Sequence, residues 1–311
     1  MNRFILKTLV FVIVTVCSIL FLFVCTNLSI NKLAKFKLER VNHVIIGHSR
    51  PECAFNDSLI NNFKNMSQSG ESYFYSYQKV KKIISQNKNI KNVFIEFSNN
   101  QIDSEVNNWI WGEQYIKEKS YYLPFLDKED IGLLWRKNKN GLIAGSSKSF
   151  RNNVMNLLLL RFDYTKKTGG YLWLDRFKTD SLIASIKINK SLLNKKTGQL
   201  SITNIKYLEK IVVFCRSSKV NMFFVRSPQH IYSHSRKNEK AFIKIKNEKF
   251  NTVEFLDFND FPLTNNEFGD FGHLNYKGAK KFSVWFNQLL SKGLLTKHNK
   301  KAFISSEINK L

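Results

Sequence analysis

Acidic side chains and cysteines are both scarce in this sequence. Its 311 residues carry 24 Asp+Glu against 49 Lys+Arg, a formal charge of +25. Four cysteines are too few for a disulfide scaffold, and four prolines with 13 glycines exclude a collagen-like or proline-rich chain. A 43% hydrophobic and 14% aromatic content excludes wholesale disorder. No internal repeat or low-complexity tract is present. The lysine surplus comes with abundant Asn, Ile and Phe, the composition an AT-rich genome produces. No DNA- or RNA-binding motif accompanies it, so the charge does not select nucleic acid as a partner.

Charge is absent altogether from Thr8 to Ile30, 23 residues that as a helix would span roughly 34 Å at ~1.5 Å per residue. A buried soluble helix of this length would show a polar stripe, and this one shows none. No A-x-A-like cleavage site follows, and Val24 before Cys25 is too bulky for a lipoprotein site, so the expectation is an uncleaved signal anchor. Arg3 and Lys7 on one side face Lys32, Lys35, Lys37 and Arg40 on the other, which leaves the positive-inside count undecided. A short N-terminal tail stays easily in the cytoplasm, and long C-terminal domains translocate largely regardless of charge. The bulk of the chain is therefore expected outside the cytoplasm, periplasmic in a Gram-negative cell. The expected organisation is a tail and anchor at 1–30, a linker at 31–42, one folded domain at 43–295 and a basic tail at 296–311. Cys17 and Cys25 lie in the anchor; whether Cys53 and Cys215 pair is left open by their spacing.

Beyond the anchor, short β-branched or aromatic runs alternate with segments of helical period, the pattern of an α/β domain with a parallel sheet. The strands are expected at His43–Gly47, Asn92–Phe97, Val220–Arg226 and Thr252–Leu256, with a weaker one at Phe63–Ser67. Ile202, Ile205, Leu208, Ile211, Val212 and Cys215 share one helical face; Tyr73, Tyr77, Val80 and Ile84 share another. Tyr276, Ala279, Phe282, Phe286 and Leu289 form the stripe of a last helix. Residues 103–200 are too long for a crossover. They are expected to form a mainly helical cap, with one helix at Phe150–Phe162 and with Trp109, Trp111, Tyr121, Tyr122 and Trp173 available either to line a cleft or to fill the cap's own core.

Two short blocks carry chemistry. Gly47-His48-Ser49-Arg50 falls where the first strand ends and a helix begins, at the carboxyl edge where parallel sheets bind ligands. A serine there is either exposed for reaction or a helix N-cap. Asp270-Phe271-Gly272-His273 precedes the last helix. An Asp three residues before a His on a turn can accept the imidazole Nδ1–H and leave Nε2 to take a serine proton, or the pair can merely cap the helix.

Together these blocks resemble the SGNH, or GDSL-like, esterase and acyltransferase superfamily, in which a serine after the first strand is served by a late Asp-x-x-His. Asn65–Gly70 sits where that family keeps an oxyanion glycine, and Phe97-Ser98-Asn99-Asn100 where it keeps an asparagine. The likeness covers about His43–Asn100 and Lys206–Leu290. His48 in place of the usual aspartate and Phe97 in place of a glycine mark a divergent member, similar to membrane-anchored envelope relatives such as D-alanyl transfer and alginate acetylation proteins. The resemblance implies a three-layer, flavodoxin-like domain with Ser49 as nucleophile, His273 as general base and acid, and Asp270 as its orienting carboxylate. Ser49 N–H, Gly70 N–H and the Asn99 side chain would bind the oxyanion, with Asn100 the substitute if the register slips by one. It implies no cofactor; the anchored, basic domain suits an anionic or O-acylated envelope polysaccharide or glycolipid as substrate, with a membrane acyl-donor protein as partner. The alternative is a catalytically silent, tethered glycan-binding or assembly protein of the same fold.

Two further patterns are set aside. His230-x-x-x-His234 lacks the glutamate of zinc peptidases and follows Pro228, so no metal site is expected. The lysine-rich stretch Ser235–Lys249 reads as a solvated helical face.

Overall fold

The structure, a computed structural model, describes residues 2–188, 199–233 and 238–311. It is α/β with one five-stranded, all-parallel sheet. The chain opens with helix α1 (Asn2–Leu33), followed by β1 (His43–Ile46), α2 (Ser49–Ala54), β2 (Phe63–Asn65), α3 (Tyr73–Gln86) and β3 (Asn92–Glu96). Then come α4 (Asn107–Trp111), α5 (Glu113–Glu118), α6 (Lys128–Leu158), α7 (Thr179–Ile188), α8 (Ile202–Ser217) and β4 (Asn221–Arg226). The chain closes with α9 (Glu239–Lys249), β5 (Glu254–Asp257), α10 (Tyr276–Ser291) and α11 (Lys300–Ile308).

The strand order is β2-β1-β3-β4-β5, with His43 opposite both Phe63 and Asn92, Asn92 opposite Asn221, and Phe223 opposite Glu254. The central strands are apolar runs because both faces are covered. Ile45, Phe94, Phe223 and Val225 point to one side, where Phe282 and Phe286 of α10 and Ile304 of α11 complete the core. On the other side Phe224 stacks on Phe97, and Phe97 on Phe242 of α9, with ring centroids 4.6 and 4.5 Å apart. Phe74 of α3 meets Tyr207 of α8 edge-on at 4.8 Å.

The chain divides into two compact units. The sheet belongs to residues 36–110 with 165–311; the other unit is 1–35 with 111–164. The 103–200 stretch is thus shared between the two units rather than forming one cap. Trp109 and Trp173 go with the sheet, while Trp111, Tyr121 and the buried Tyr122 go with α1.

In that second unit α6 kinks at Asn138, whose side chain accepts from Gly141 N–H at 2.8 Å and donates to Trp111 C=O at 2.9 Å, re-capping the helix in mid-course. A Cβ on Gly145 would lie 2.6 Å from Ile116 Cγ2, so α5 and α6 cross where only glycine fits. The helix expected at Phe150–Phe162 is the end of α6 and stops at Leu158. Leu160 turns into left-handed backbone, and the chain returns to pair with Lys35 through Phe162 C=O and Tyr164 N–H.

Helix α1 is long and apolar enough to cross a membrane, with a mean hydropathy of 2.9 over its most apolar window, and it continues past Ile30 to Leu33. The 31–42 stretch is no free linker: Phe36, Leu38 and Val41 are buried. The expected basic tail at 296–311 contains α11 instead, because Ile304 is buried in the core and Lys300 pairs with Glu254 at 2.7 Å. Ile202, placed on the buried face of α8 by periodicity, is exposed at the helix's first turn. Cys53 and Cys215 are both free and buried.

Candidate active site

The turn after β1 is forced by packing. A Cβ on Gly47 would collide with the Glu96 side chain and lie 2.8 Å from Pro51 Cγ, so only glycine carries the chain from strand to helix there. His48 caps α2: its Nδ1 accepts from Arg50 N–H at 3.4 Å. Ser49, the first helical residue, is thereby free of the capping duty and half-buried. Its Oγ lies 2.7 Å from His273 Nε2.

His273 is delivered by a tight hairpin in which Phe268 bridges Leu274 and Gly269 N–H donates to His273 C=O at 2.9 Å. Asn275, not Asp270 or His273, caps α10, its Oδ1 accepting from Lys277 and Gly278 N–H at 3.0 and 3.2 Å. Asp270 instead accepts His273 Nδ1–H at 2.8 Å and Gly272 N–H at 2.9 Å on Oδ1, and Arg176 Nη1–H at 2.7 Å on Oδ2. Burial pushes the Asp270 carboxyl upward, but the bonds from His273, Gly272 and Arg176 outweigh it and hold the group well below the usual carboxylate range. Asp270 is therefore an anion at neutral pH, and its bond fixes Nδ1 of His273 as the protonated nitrogen.

Arg176 comes from a strap, residues 169–178, that touches the loop after β2, helix α2 and the hairpin of His273. Gly169 (φ +144°) packs where a Cβ would lie 2.5 Å from Met66 C=O and Ser67 C=O, and Gly170 N–H donates to Ser67 C=O at 3.1 Å. Leu172 N–H donates to Glu52 C=O at 2.9 Å. Further on, Leu174 C=O accepts Tyr276 N–H at 3.0 Å, Lys178 N–H donates to Gly269 C=O at 3.0 Å, and Trp173 stacks on Tyr276 at 4.5 Å.

The other expected site residues divide. Gly70 adopts left-handed backbone (φ +64°) in a loop held by Gln68 N–H to Gly47 C=O at 2.9 Å and by the buried Lys79, which bonds Met66 C=O at 2.5 Å and Glu71 at 2.7 Å. Asn99 is fully buried and occupied. Its Nδ2 donates to Glu239 at 2.7 Å and its Oδ1 accepts from Arg226 at 3.2 Å, in a cluster that Asp257 completes. Asn100 is half-buried, and its acceptor end is held by Ser98 Oγ–H at 2.9 Å; among the described residues its amide N–H groups have no partner. Ser98 in turn lies 3.2 Å from His48 Nε2. With Nδ1 of His48 accepting from Arg50, the proton sits on Nε2, and the chain runs His48 Nε2–H to Ser98 O–H to Asn100 Oδ1.

Glu96, at the end of β3, is fully buried beneath this chain, accepting from Ser227 Oγ–H at 2.7 Å with its other oxygen 4.0 Å from His48 Nε2. Burial raises its carboxyl to about 7 against the opposing bond from Ser227 and charge of Arg50. Burial first, then the charges of Arg50 and His273, push His48 well below its ordinary value, so it is neutral. Trp109 packs beside it, ring centroids 5.7 Å apart.

Arg176 and Glu96 were not singled out from the sequence. Arg176 lies in a stretch without periodicity, 94 residues from its partner. Glu96 did leave a signal, a charged residue inside an otherwise apolar strand. His230 is buried against Phe271 and bonds Asn265 at 3.1 Å, and His234 lies outside the described residues. Among the described residues no three His, Cys, Asp or Glu side chains converge as metal ligands.

Residues 175–295 match the model of an uncharacterised protein family, a stretch that holds Arg176, Asp270 and His273 but not Ser49. No curated protein matches the chain.

Proposed function

We propose that this protein is a membrane-anchored serine esterase or O-acyltransferase of the SGNH type, acting on an O-acylated cell-envelope polysaccharide or glycolipid. The observation that carries the reading is the unbroken series Ser49 Oγ, His273, Asp270, at 2.7 and 2.8 Å, with both nearby helix caps supplied by other residues, His48 and Asn275. That these three side chains bond one another while other residues cap the helices supports a reactive role for them.

In the proposed cycle His273 Nε2 takes the Ser49 proton as Oγ attacks the acyl carbonyl, and the imidazolium is stabilised by the Asp270 anion. Ser49 N–H, Gly70 N–H and the Asn100 amide receive the oxyanion; Asn100 replaces Asn99, whose amide is committed to Glu239. His273 then returns the proton to the departing alkoxide, leaving an acyl-serine. Water as acceptor completes hydrolysis; a sugar hydroxyl completes transfer. The α1 helix supplies the anchor, with the remainder of the chain outside the cytoplasm, where O-acylated glycans and a membrane acyl donor would be met.

The test is labelling of the full chain in detergent by a fluorophosphonate. Ser49 should be labelled and Ser49→Ala should not. An unlabelled, folded protein would favour the silent glycan-binding alternative.

A further inference from the structure

The unit formed by 1–35 and 111–164 carries a surface with its own chemistry. Along α1 every residue from Arg3 to Leu22 is exposed, and packing against the unit begins only at Phe23, whose ring meets Phe150 of α6 at 6.2 Å. One turn further, Asn27 accepts from Asn153 at 3.3 Å. The bare stretch Phe4–Leu22, charged only at Lys7 near its N-terminal end, where a long side chain reaches the headgroups, rises roughly 28 Å as a helix, close to the ~30 Å hydrocarbon thickness of a bilayer. If that stretch fills the hydrocarbon, Phe23 marks the membrane surface, and the part of α6 around Phe150 lies at headgroup depth.

The composition of α6 suits that depth. From Ile131 to Phe162 the chain has six basic residues and no Asp or Glu. Beyond the Asn138 kink, Lys139, Ile143, Lys148, Arg151, Met155 and Leu158 fall within one half of the helix circumference, and all are exposed. Ile143 and Leu158 are 53% and 72% exposed, apolar area that a soluble surface rarely gathers beside cations. Interleaved aliphatic and cationic side chains on one exposed arc are the pattern of a helix lying in an anionic lipid interface: the apolar groups enter the acyl boundary and the long basic chains reach the phosphates.

We propose that this exposed arc of α6 is a second membrane contact, seated on the anionic headgroups of the leaflet from which α1 emerges. It holds its unit against the surface rather than leaving it on a tether. The inference rests on α1 spanning a bilayer and is independent of the chemistry at Ser49.

The experiment uses the full chain reconstituted into vesicles, either phosphatidylcholine alone or with one-fifth phosphatidylglycerol, each with a headgroup-nitroxide lipid. Carbonate extraction first establishes that α1 is inserted. A fluorophore is placed at Ser147→Cys, within the arc, or at Ser291→Cys at the end of α10, in a Cys17→Ala/Cys25→Ala background. Cys53 and Cys215 stay unlabelled, being buried with thiols pushed up to about 12. In the anionic vesicles the Ser147→Cys label should be quenched at least threefold more than the Ser291→Cys label. Lys139→Gln/Lys148→Gln/Arg151→Gln should erase that excess without changing circular dichroism, and Ser49→Ala should leave it intact. Equal quenching at both positions overturns the proposal and leaves the face for a protein partner. Excess quenching unaffected by lipid charge or by the triple variant overturns the anionic contact.

Discussion

Arg176→Met is the sharpest probe of the proposed mechanism, because it removes one charged partner of Asp270 and leaves Ser49, His273 and Asp270 in place. Among the described residues Asp270 is pinned by three donors, and Arg176 is the one on Oδ2, at 2.7 Å. The guanidinium is 42% exposed and the carboxylate 19%, so solvent screens the pair and its worth is discounted to about 1–1.5 kcal/mol. That corresponds to a loss of roughly five- to tenfold in kcat on a small activated ester such as p-nitrophenyl acetate, with KM unchanged, since Arg176 orients the carboxylate rather than the ester. Exchange of the triad carboxylate for an amide costs far more, on the order of 10⁴, because it reverses the imidazole tautomer. Arg176→Lys should recover part of the loss.

The pH dependence has a sign. The Asp270 carboxyl is depressed in the folded protein, so its contribution to stability is present above the ordinary carboxylate range and is lost as pH falls through the depressed value. Without Arg176 that value rises, and acid unfolding should begin at a higher pH. The reasoning is refuted if Arg176→Met keeps wild-type kcat, or if it costs as much as Asp270→Asn while the protein stays folded.

Three other outcomes are expected. Ser49→Ala and His273→Ala should each lower turnover by about 10⁴–10⁶, and the double variant should match either single, which single-turnover acylation assays can measure. Asn100→Ala should cost roughly 10²–10³ in kcat with an unchanged melting temperature, whereas Asn99→Ala, which removes a buried partner from both Arg226 and Glu239, should lower melting temperature first. Glu96 holds a proton up to about 7 in the fold, so the native state loses on the order of 3 kcal/mol as pH rises from the ordinary carboxylate value to 7. Glu96→Gln should flatten that decline in denaturation curves between pH 4.5 and 8; an unchanged slope would mean another group carries it.

The strands were readable in the sequence because a sheet buried on both faces leaves uninterrupted β-branched and aromatic runs, and α10 because its stripe repeats over four turns. The Ser49 and Asp270-x-x-His273 blocks stood out for the same reason: strand end, turn and helix start are all written locally. What was not readable depends on tertiary reach. The order of Asn99 before Asn100 rested on the resemblance and not on periodicity, because the strand's alternation ends at Glu96 and a 3-10 turn starts at Asn99, which rotates the pair by an amount no periodicity encodes. The sharing of 103–200 between two units, the burial of Ile304 and the arrival of Arg176 at Asp270 are all set by partners far away in the chain.

The strap also bears on how the protein is made. Ser49 and His273 stand 224 residues apart, and the segment that touches α2 and the hairpin of His273 is synthesised between them. During synthesis the serine exists first, then the strap, and the imidazole last, behind β4 and β5, whose parallel pairing is itself long-range and slow to form. On the proposed reading, an incomplete chain therefore carries a serine with no base, and activation of Ser49 waits until the hairpin of Asp270 and His273 ahead of α10 has formed.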